Sequence, residues 1–366
     1  MYAFDRRRIL GLAGAALTLP SAANAGGKRV AAAQAAMDGL AKSDPFYGVF
    51  LLGQGARTDI ARAYGMADIE AGRPATAGTR YGIASISKWF TSVAVLRLVE
   101  QGRLSLDAPI TTWLTDYRAD TGAKITLRRL LSNTSGVPNG FINAVRADAT
   151  LTARETSTAD AVRAHASGDL AFEPGARFDY SLTNWILVRA VIEQAAGEPY
   201  EAAMRRLVLT PLGLKDTGSP VVGADPPVAV AYGAIAPPAR RMTASPAFAV
   251  ASGGFYSTAA DLARAAHAVF RPGFLSDASR RQLTTIEVPD EHYCLGGRVK
   301  DLRVAGRVQR FAWETGNSGG YKCLLAHGLD DHRTLVILNS TNLTQKRIDE
   351  FAYTILGAAY GEAVPV

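Results

Sequence analysis

Apolar residues alternate with polar ones near both ends of this chain and recur with helical spacing in its middle. Two short apolar runs at residues 47–54 and 58–64 surround Gly53-Gln54-Gly55 and predict a β-hairpin. Toward the C-terminus, turn residues separate four alternating runs, which predict antiparallel strands at residues 292–299, 308–313, 321–327 and 334–339.

Helical spacing fills the segments between and around these runs. Residues 28–42 and 345–359 predict helices at the two ends of the chain, and the region 105–248 is mainly helical, with candidates at 127–133, 159–166, 182–196 and 200–209. The helix that opens at Ser85 is apolar on most sides, which predicts a buried central helix. Strands, then helices, then strands predict an α+β fold, an antiparallel sheet flanked by helices with an inserted, mainly helical subdomain.

The first 25 residues have the pattern of a targeting segment. Arg6-Arg7 precedes a short apolar run at residues 9–19, and Ala23-Asn24-Ala25 supplies a cleavage site. The run is too short to cross a bilayer, and the paired arginines resemble a twin-arginine signal. We therefore expect a periplasmic or secreted protein with one mature domain at residues 26–366, its sheet part at about 26–84 and 250–366 and its helical part at about 85–249.

Composition narrows the classes of partner. Removing three arginines and one aspartate with the signal lowers the formal net charge from +7 to +5, and no basic run follows. This pattern argues against nucleic-acid binding, and no later stretch is apolar and long enough to span a membrane. The five histidines show no metal-binding spacing, so we expect no metal and no organic cofactor. We expect a monomer.

Two cysteines, Cys294 and Cys323, are too few for a disulfide scaffold or a zinc ribbon. In an exported protein they could pair with each other. Two buried free thiols are an equally good interpretation, so the sequence leaves both states open.

The strongest chemical signal is an S-x-x-K motif at the start of the apolar helix. Ser85 and Lys88 are three residues apart, which on a helix places a hydroxyl and an amine on one face, one turn apart. A hydroxyl becomes an effective nucleophile only when a neighbouring base takes its proton. Burial can keep a lysine amine neutral part of the time, so Lys88 could be that base.

With this motif in view, the chain resembles the β-lactamase-related serine hydrolases, among them class C β-lactamases, D-alanyl-D-alanine peptidases, D-aminopeptidases and family VIII carboxylesterases. The resemblance runs from about Tyr47 to Tyr360. It rests on six segments in the expected order: YGIASISK at 81–88, LLSNTSG at 130–136, PGARFDYS at 174–181, PLGL at 211–214, GGFYST at 253–258 and ETGNSGGY at 314–321.

The resemblance assigns a second catalytic motif, Y-x-N, to Tyr180. Its tyrosine would face Ser85 and shuttle a proton, because a nearby ammonium favours the phenolate. The third position of the motif is Leu182, where relatives keep an asparagine that helps to hold an acylamino group. Leucine cannot form that hydrogen bond, and Asn184, two residues further on, would face elsewhere on a helix. The missing amide resembles family VIII esterases more than β-lactamases.

The third motif, usually K-T-G or H-x-G on a strand at the edge of the site, is Glu314-Thr315-Gly316 here. The resemblance implies that these residues contact substrate and that the backbone N–H groups of Ser85 and Asn317 form the oxyanion hole. A carboxylate at position 314 would repel the substrate carboxylate that the usual cation binds. An exposed carboxylate at the end of a strand, with no role in the site, is the alternative for Glu314.

A competing nucleophile motif overlaps the third one. Residues 316–320 match G-x-S-x-G, the nucleophile elbow of α/β-hydrolases, with Ser318 as the nucleophile. That elbow requires a helix after the serine, whereas residues 321–325 predict a strand. We therefore predict a serine hydrolase that works through an acyl-enzyme at Ser85 on small esters or amides. The alternatives are a β-lactamase or D-alanyl-D-alanine peptidase, and a non-catalytic penicillin-binding-like or peptidoglycan-sensing module.

Overall fold

A six-stranded antiparallel sheet, built from both ends of the chain, forms the centre of the fold. The computed structural model describes residues 22–220, 227–241, 246–304 and 306–362. The order in the sheet is β2-β1-β12-β11-β10-β9, so the N-terminal hairpin pairs with the last strand of the chain. The six strands are β1 Gly48–Gln54, β2 Arg57–Tyr64, β9 Val299–Val304, β10 Arg307–Ser318, β11 Tyr321–Gly328 and β12 Arg333–Asn339.

Three small two-stranded sheets and twelve α-helices complete the described part of the chain. The small sheets pair β3 Met66–Asp68 with β4 Arg73–Pro74, β5 Tyr81–Gly82 with β8 Tyr256–Ser257, and β6 Tyr232–Ile235 with β7 Pro238–Arg240. The helices are α1 Ala22–Ser43, α2 Ile86–Glu100, α3 Ala119–Gly122, α4 Leu127–Leu131, α5 Gly140–Ala147, α6 Thr158–His165, α7 Thr183–Ala196, α8 Tyr200–Met204, α9 Val250–Gly253, α10 Ala259–Phe270, α11 Asp277–Thr284 and α12 Gln345–Tyr360.

Helices cover both faces of the large sheet. Helices α1 and α12 pack against each other and against one face, where Phe50 of β1 lies edge-on to Phe351 of α12 with 6.0 Å between ring centres. The other face packs against α10 and α2. The Thr344 side chain caps the N-terminus of α12 by accepting a hydrogen bond from the Arg347 N–H. Gly361, with φ +82°, caps its C-terminus.

Helix α2 is the structural centre of the helical region. Twelve of its fifteen residues are buried, among α7, α8, α9 and α11 on the helical side and β10 and β11 on the sheet side. A helix surrounded in this way cannot be amphipathic, which explains why its sequence is apolar on most sides. The residues at its first turn are therefore fixed from several directions at once.

The predicted α+β class and most of the predicted elements are confirmed. The hairpin, the three later C-terminal strands, the helix at 28–42 and the last helix all occur near the predicted positions. The strand predicted at 292–299 is wrong, because this segment is a loop with isolated bridges and β9 begins only at Val299. The predicted division into a helical part and a sheet part at about residue 250 stays a prediction. Helices occur on both sides of this residue, the last of them before β9 ending at Thr284.

The predicted signal lies mostly outside the described residues. Arg6-Arg7 and the apolar run at 9–19 are not among them, whereas helix α1 begins at Ala22 and therefore includes the predicted cleavage site at 23–25. Within the ranges that the structure describes, no helix is long and apolar enough to cross a membrane.

Candidate active site

Ser85 lies at the N-terminus of α2, at the end of a strained loop. The loop is fixed upstream because β5 pairs with β8 and the Ile83 N–H donates to the Phe255 carbonyl at 2.9 Å. Ala84 then adopts φ +45°, a conformation unfavourable for an alanine, and Ser85 turns back into helical geometry. Such strain persists only where the surroundings impose it, and it is frequent at functional sites.

Lys88 is buried one turn into α2 and faces Ser85. Its Nζ donates to Ser85 Oγ at 3.1 Å and to the Ser252 carbonyl of α9, and the side chain is 1% exposed. Nζ also lies 5.0 Å from the ring centre of Tyr180 and 5.6 Å from that of Trp185. Burial lowers the pKa of Lys88, and the opposing effect of Tyr180 only partly offsets this.

Tyr180 reaches the same serine from the loop before α7. Its Oη lies 2.9 Å from Ser85 Oγ, so the hydroxyl of Ser85 contacts both the amine and the phenol. Burial raises the pKa of Tyr180, but the Lys88 charge, hydrogen bonds with Lys88 and Ser85, and the charge of Arg298 outweigh it, and the net pKa is lowered. The amine and the phenol therefore hold a readily shared proton beside the serine.

Two asparagines hold the backbone on both sides of Tyr180. Asn133 is fully buried with φ +57°, its carbonyl accepts the Asp179 N–H at 2.8 Å, and its Oδ1 accepts the Ser181 N–H at 3.3 Å. Asn139 Oδ1 accepts the N–H of residue 182 at 3.1 Å. Neither asparagine was predicted to have a role in the site. The position of Asn133 inside the LLSNTSG segment was the sequence signal that could have indicated one.

Leu182 lies outside the cavity lining, and the substrate contact expected at this position of the Y-x-N motif stays a prediction. Its side chain packs against a small apolar cluster around Phe141 and Phe248 and does not line the cavity at Ser85. Asn184 does not replace the missing amide either. It is buried in the polar network of the loop, where its Nδ2 donates to Asn133 Oδ1 at 3.1 Å.

A cavity of about 300 Å³ opens beside Ser85, Lys88 and Tyr180. The third motif contributes Glu314 and Thr315, and the residue after the motif contributes Asn317. The other residues that line the cavity are Tyr293, Gly296, Gly297, Arg298, Trp313 and Gln345. The structure thus brings the three predicted motifs together. That the N–H groups of Ser85 and Asn317 form an oxyanion hole stays a prediction.

Gly316 has a packing role, and its expected substrate contact stays a prediction. It is not among the residues that line the cavity, and a Cβ on it would lie 2.3 Å from the Ile83 carbonyl. Only glycine therefore lets strand β10 approach the loop that carries Ser85. This close approach is what places Thr315 and Asn317 beside the serine.

Glu314 lines the cavity, and its carboxyl group is buried and not exposed at the end of the strand. It is 4% exposed, and a Cβ on Gly297 would overlap its carboxyl group, so the loop at 296–298 closes over it. Burial raises the pKa of Glu314 well above its ordinary value, and the nearby Arg298 offsets this only in part. Burial therefore opposes a negative charge at position 314, and Arg298 adds a positive charge to the same cavity, while the expected repulsion of anions stays a prediction.

The loop before β9 is the part of the site that sequence reasoning missed. It supplies Tyr293, whose ring meets Tyr180 edge-on at 6.3 Å, and Arg298, whose guanidinium stacks on Tyr293 at 5.0 Å. Gly296, at φ +81°, has no room for a Cβ against Ser92 and Lys88. The adjacent glycines 296 and 297 were a usable signal of close packing.

The structure contradicts the competing interpretation of residues 316–320 as a nucleophile elbow. Ser318 is the last residue of β10, and its register partner is Tyr321, the first residue of β11. Gly319 and Gly320 form the two-residue turn with φ +55° and +96°. The serine is thus followed by a strand, it is exposed, and it does not line the cavity.

The cysteines are both free and buried, so the disulfide alternative is not realised. Cys323 lies under the site, where its Sγ donates to the Gly82 carbonyl at 3.4 Å, and burial raises its pKa to about 12. Across the described ranges, no three histidine, cysteine, aspartate or glutamate side chains form a group that could hold a metal ion.

Comparison with known proteins identifies relatives over most of the chain. The beta-lactamase family model matches residues 31–359. Esterase EstB of Burkholderia gladioli is 34% identical over 260 residues, which is 60% of this chain and 66%, just under two thirds, of the esterase.

Solved structures share the fold at lower identity. The octameric penicillin-binding protein homologue from Pyrococcus abyssi superposes with a TM-score of 0.77 at 22% identity, over 91% of this chain and 78% of its own. The D-amino acid amidase from Ochrobactrum anthropi SV3, in complex with L-phenylalanine, gives a TM-score of 0.76 at 22% identity, over 90% of this chain and 98% of the amidase.

Glu314→Gln should change how stability depends on pH. Because the folded state raises the pKa of Glu314, its contribution is complete below about pH 4.5, the ordinary pKa, and is lost as the pH rises toward the folded value. The free energy of unfolding of wild type should therefore fall relative to that of Glu314→Gln as the pH rises above about 4.5. Urea unfolding across this pH range measures the difference.

The exposed Glu155 provides the control for this experiment. The difference between wild type and Glu155→Gln should stay nearly flat with pH, since that side chain faces water. Parallel stability curves for wild type and Glu314→Gln would show that Glu314 is solvated and that its burial beneath the loop at 296–298 is wrong.

Proposed function

Since the chain belongs to the beta-lactamase family, we propose that it is a serine hydrolase that cleaves small esters or amides through an acyl-enzyme at Ser85. The observation that carries this proposal is the double contact of Ser85 Oγ, at 3.1 Å from Lys88 Nζ and 2.9 Å from Tyr180 Oη. A serine with a shared-proton pair at hydrogen-bond distance has the arrangement of an activated nucleophile.

In the proposed acylation step, Ser85 Oγ attacks the substrate carbonyl and its proton passes to the Lys88–Tyr180 pair. The lowered pKa of Lys88 favours this step, because a neutral amine can accept the proton, either directly from Ser85 or through Tyr180. The oxyanion would be held by the N–H groups of Ser85 and Asn317. Tyr180 would then protonate the leaving group, and water would cleave the acyl-serine ester by the same route in reverse.

The substrate class we propose is a neutral short-chain ester, followed by small amides. Position 182 offers no amide to the cavity, which removes the acylamino contact expected in β-lactam and peptide sites. A relative at 34% identity is an esterase, and a structural neighbour is a D-amino acid amidase. A β-lactamase or D-alanyl-D-alanine peptidase is the second candidate, favoured by the penicillin-binding structural neighbour.

The nucleophile is tested by covalent labelling. A fluorophosphonate probe should label wild type at Ser85, and Ser85→Ala should lose both the labelling and all ester hydrolysis, because no other hydroxyl contacts both Lys88 and Tyr180 in the described residues. Ser318→Ala is the matched control and should keep its label at Ser85. Labelling that survives Ser85→Ala would overturn the proposed nucleophile, and an unlabelled wild type would favour a non-catalytic binding module.

The substrate class is tested by a rate comparison on purified wild-type enzyme. We expect kcat/KM for p-nitrophenyl esters of short acids to exceed that for D-aminoacyl p-nitroanilides and for a chromogenic cephalosporin. The physical reason is the absence of a side-chain amide at position 182 to orient an acylamino group. Ser85→Ala supplies the background rate for each substrate. A cephalosporin hydrolysed faster than every ester would establish the β-lactamase alternative.

Export by the twin-arginine route is a further part of the proposal, supported by Arg6-Arg7 ahead of a short apolar run. Changing both arginines to lysine should trap precursor in the cytoplasm, because that route reads the arginine pair rather than its charge. Immunoblots of cytoplasmic and periplasmic fractions measure this. Arg8→Lys is the control and should be exported normally. If the double variant reaches the periplasm unchanged, the general secretory route carries the protein.

We also propose that the enzyme acts as a monomer. Among the described residues, Val308 is the one large apolar side chain that is exposed, at 55%. Stable homodimer interfaces need a contiguous apolar patch, and a single valine does not provide one.

A further inference from the structure

The side-chain amide of Gln345 lies buried in the wall of the catalytic cavity with its hydrogen bonds unmade. Gln345 is the first residue of α12 and lines the cavity beside Ser85. Its Nε2 and Oε1 are both shielded from solvent, and neither has a partner in the described part of the chain. Of the described residues that line the cavity, it alone has buried side-chain polar atoms without partners. A buried donor and acceptor without partners are costly, so the pair needs an explanation.

Helix α12 is held against β10 near Gln345. Residues 345 and 349 lie four apart on one face of α12, and Asp349 Oδ1 accepts the indole N–H of Trp313 at 3.3 Å. Trp313 itself lines the cavity from β10. The face of α12 that begins with Gln345 is therefore held against the strand that carries Glu314 and Thr315.

The chemistry of the free amide selects its ligand. A carboxamide offers one donor and one acceptor side, and a neutral amide group of a ligand offers the same two in a complementary order. A carboxylate would satisfy Nε2 but leave Oε1 facing negative charge, and an ammonium would satisfy only Oε1.

We propose that Gln345 is a specificity-determining residue that hydrogen-bonds a neutral amide group of the substrate, separate from the carbonyl that Ser85 attacks. This rests on the proposed esterase or amidase function and names the substrate class of the same site. It also places amide recognition on α12, whereas the Y-x-N motif would place it at position 182, where this chain has leucine. Among the proposed short-chain esters and small amides, those that carry a second, uncleaved amide are then preferred.

The test compares matched substrate pairs in wild type, Gln345→Met and Gln345→Glu. The first pair consists of two p-nitrophenyl esters, one with an amide in the acyl chain and one with the isosteric alkyl group at the same place. The second pair consists of two acetate esters, one with an amide in the alcohol part and one with the isosteric alkyl group there. Wild type should favour the amide member of at least one pair by about tenfold in kcat/KM, a size typical of one buried hydrogen-bonded contact. Methionine has no such groups and glutamate lacks the donor, so both variants should lose this preference.

Thermal unfolding separates recognition from a structural role. Gln345→Met removes a buried unpartnered amide, so its Tm should equal or exceed that of wild type, whereas loss of a structural hydrogen bond would lower it. Gln309→Met, on β10 outside the cavity, is the control and should keep both the wild-type preference and the wild-type rates.

Two results would overturn the inference. Equal preference ratios in wild type and both variants would show that Gln345 does not contact the substrate amide, and so would a wild type without preference in either pair. If Ser85 is labelled by the fluorophosphonate probe in these enzymes, the proposed hydrolase function still stands. If wild type is neither labelled nor active, the proposed function itself has failed.

Discussion

The burial of Lys88 in the first turn of α2 is the constraint on which the site depends. Burying an ammonium is unfavourable unless other groups stabilise it. Here the Ser252 carbonyl of α9 accepts a hydrogen bond from Lys88, and the ring of Trp185 on α7 lies beside its amine. The same burial lowers the pKa of Lys88 and so makes it a usable base. Packing and catalysis therefore require the same arrangement, and a looser core around α2 would weaken both.

The charge balance of the cavity follows from tertiary contacts more than from the motif. At the position where relatives keep a cation, this chain has Glu314, and burial beneath Gly297 favours its neutral form. A different segment supplies a cation, because Arg298 lines the cavity. Its Nε donates to the Glu291 carbonyl at 3.2 Å. The site thus combines a buried carboxyl group with a raised pKa, a guanidinium held by the Glu291 carbonyl and an amide without partners among the described residues.

The position of Tyr180 shows how a loop can be held as firmly as a helix. Asn133 binds the N–H groups of the residues before and after the tyrosine, and its own φ of +57° lets the carbonyl and the side chain point to the same loop. Asparagine tolerates this conformation better than most residues, because its short polar side chain bonds locally. The phenol therefore reaches Ser85 from a backbone that is fixed on both sides.

The sequence by itself determined the elements and the reactive residues. Local patterns were sufficient for the elements because period and turn chemistry act between neighbours: they predicted the hairpin, helices α1, α7 and α12, and three of the four C-terminal strands. The S-x-x-K motif was read directly from the sequence, and the family resemblance assigned the tyrosine motif. The strand expected at 292–299 failed, since the loop there is shaped by packing against Lys88 and Glu314 and not by its own alternation. Only the tertiary structure decided that Leu182 and Gly316 pack away from the cavity and that Arg298 and Gln345 join it. Burial, pKa and the meeting of residues far apart in the chain depend on neighbours that a linear pattern does not specify.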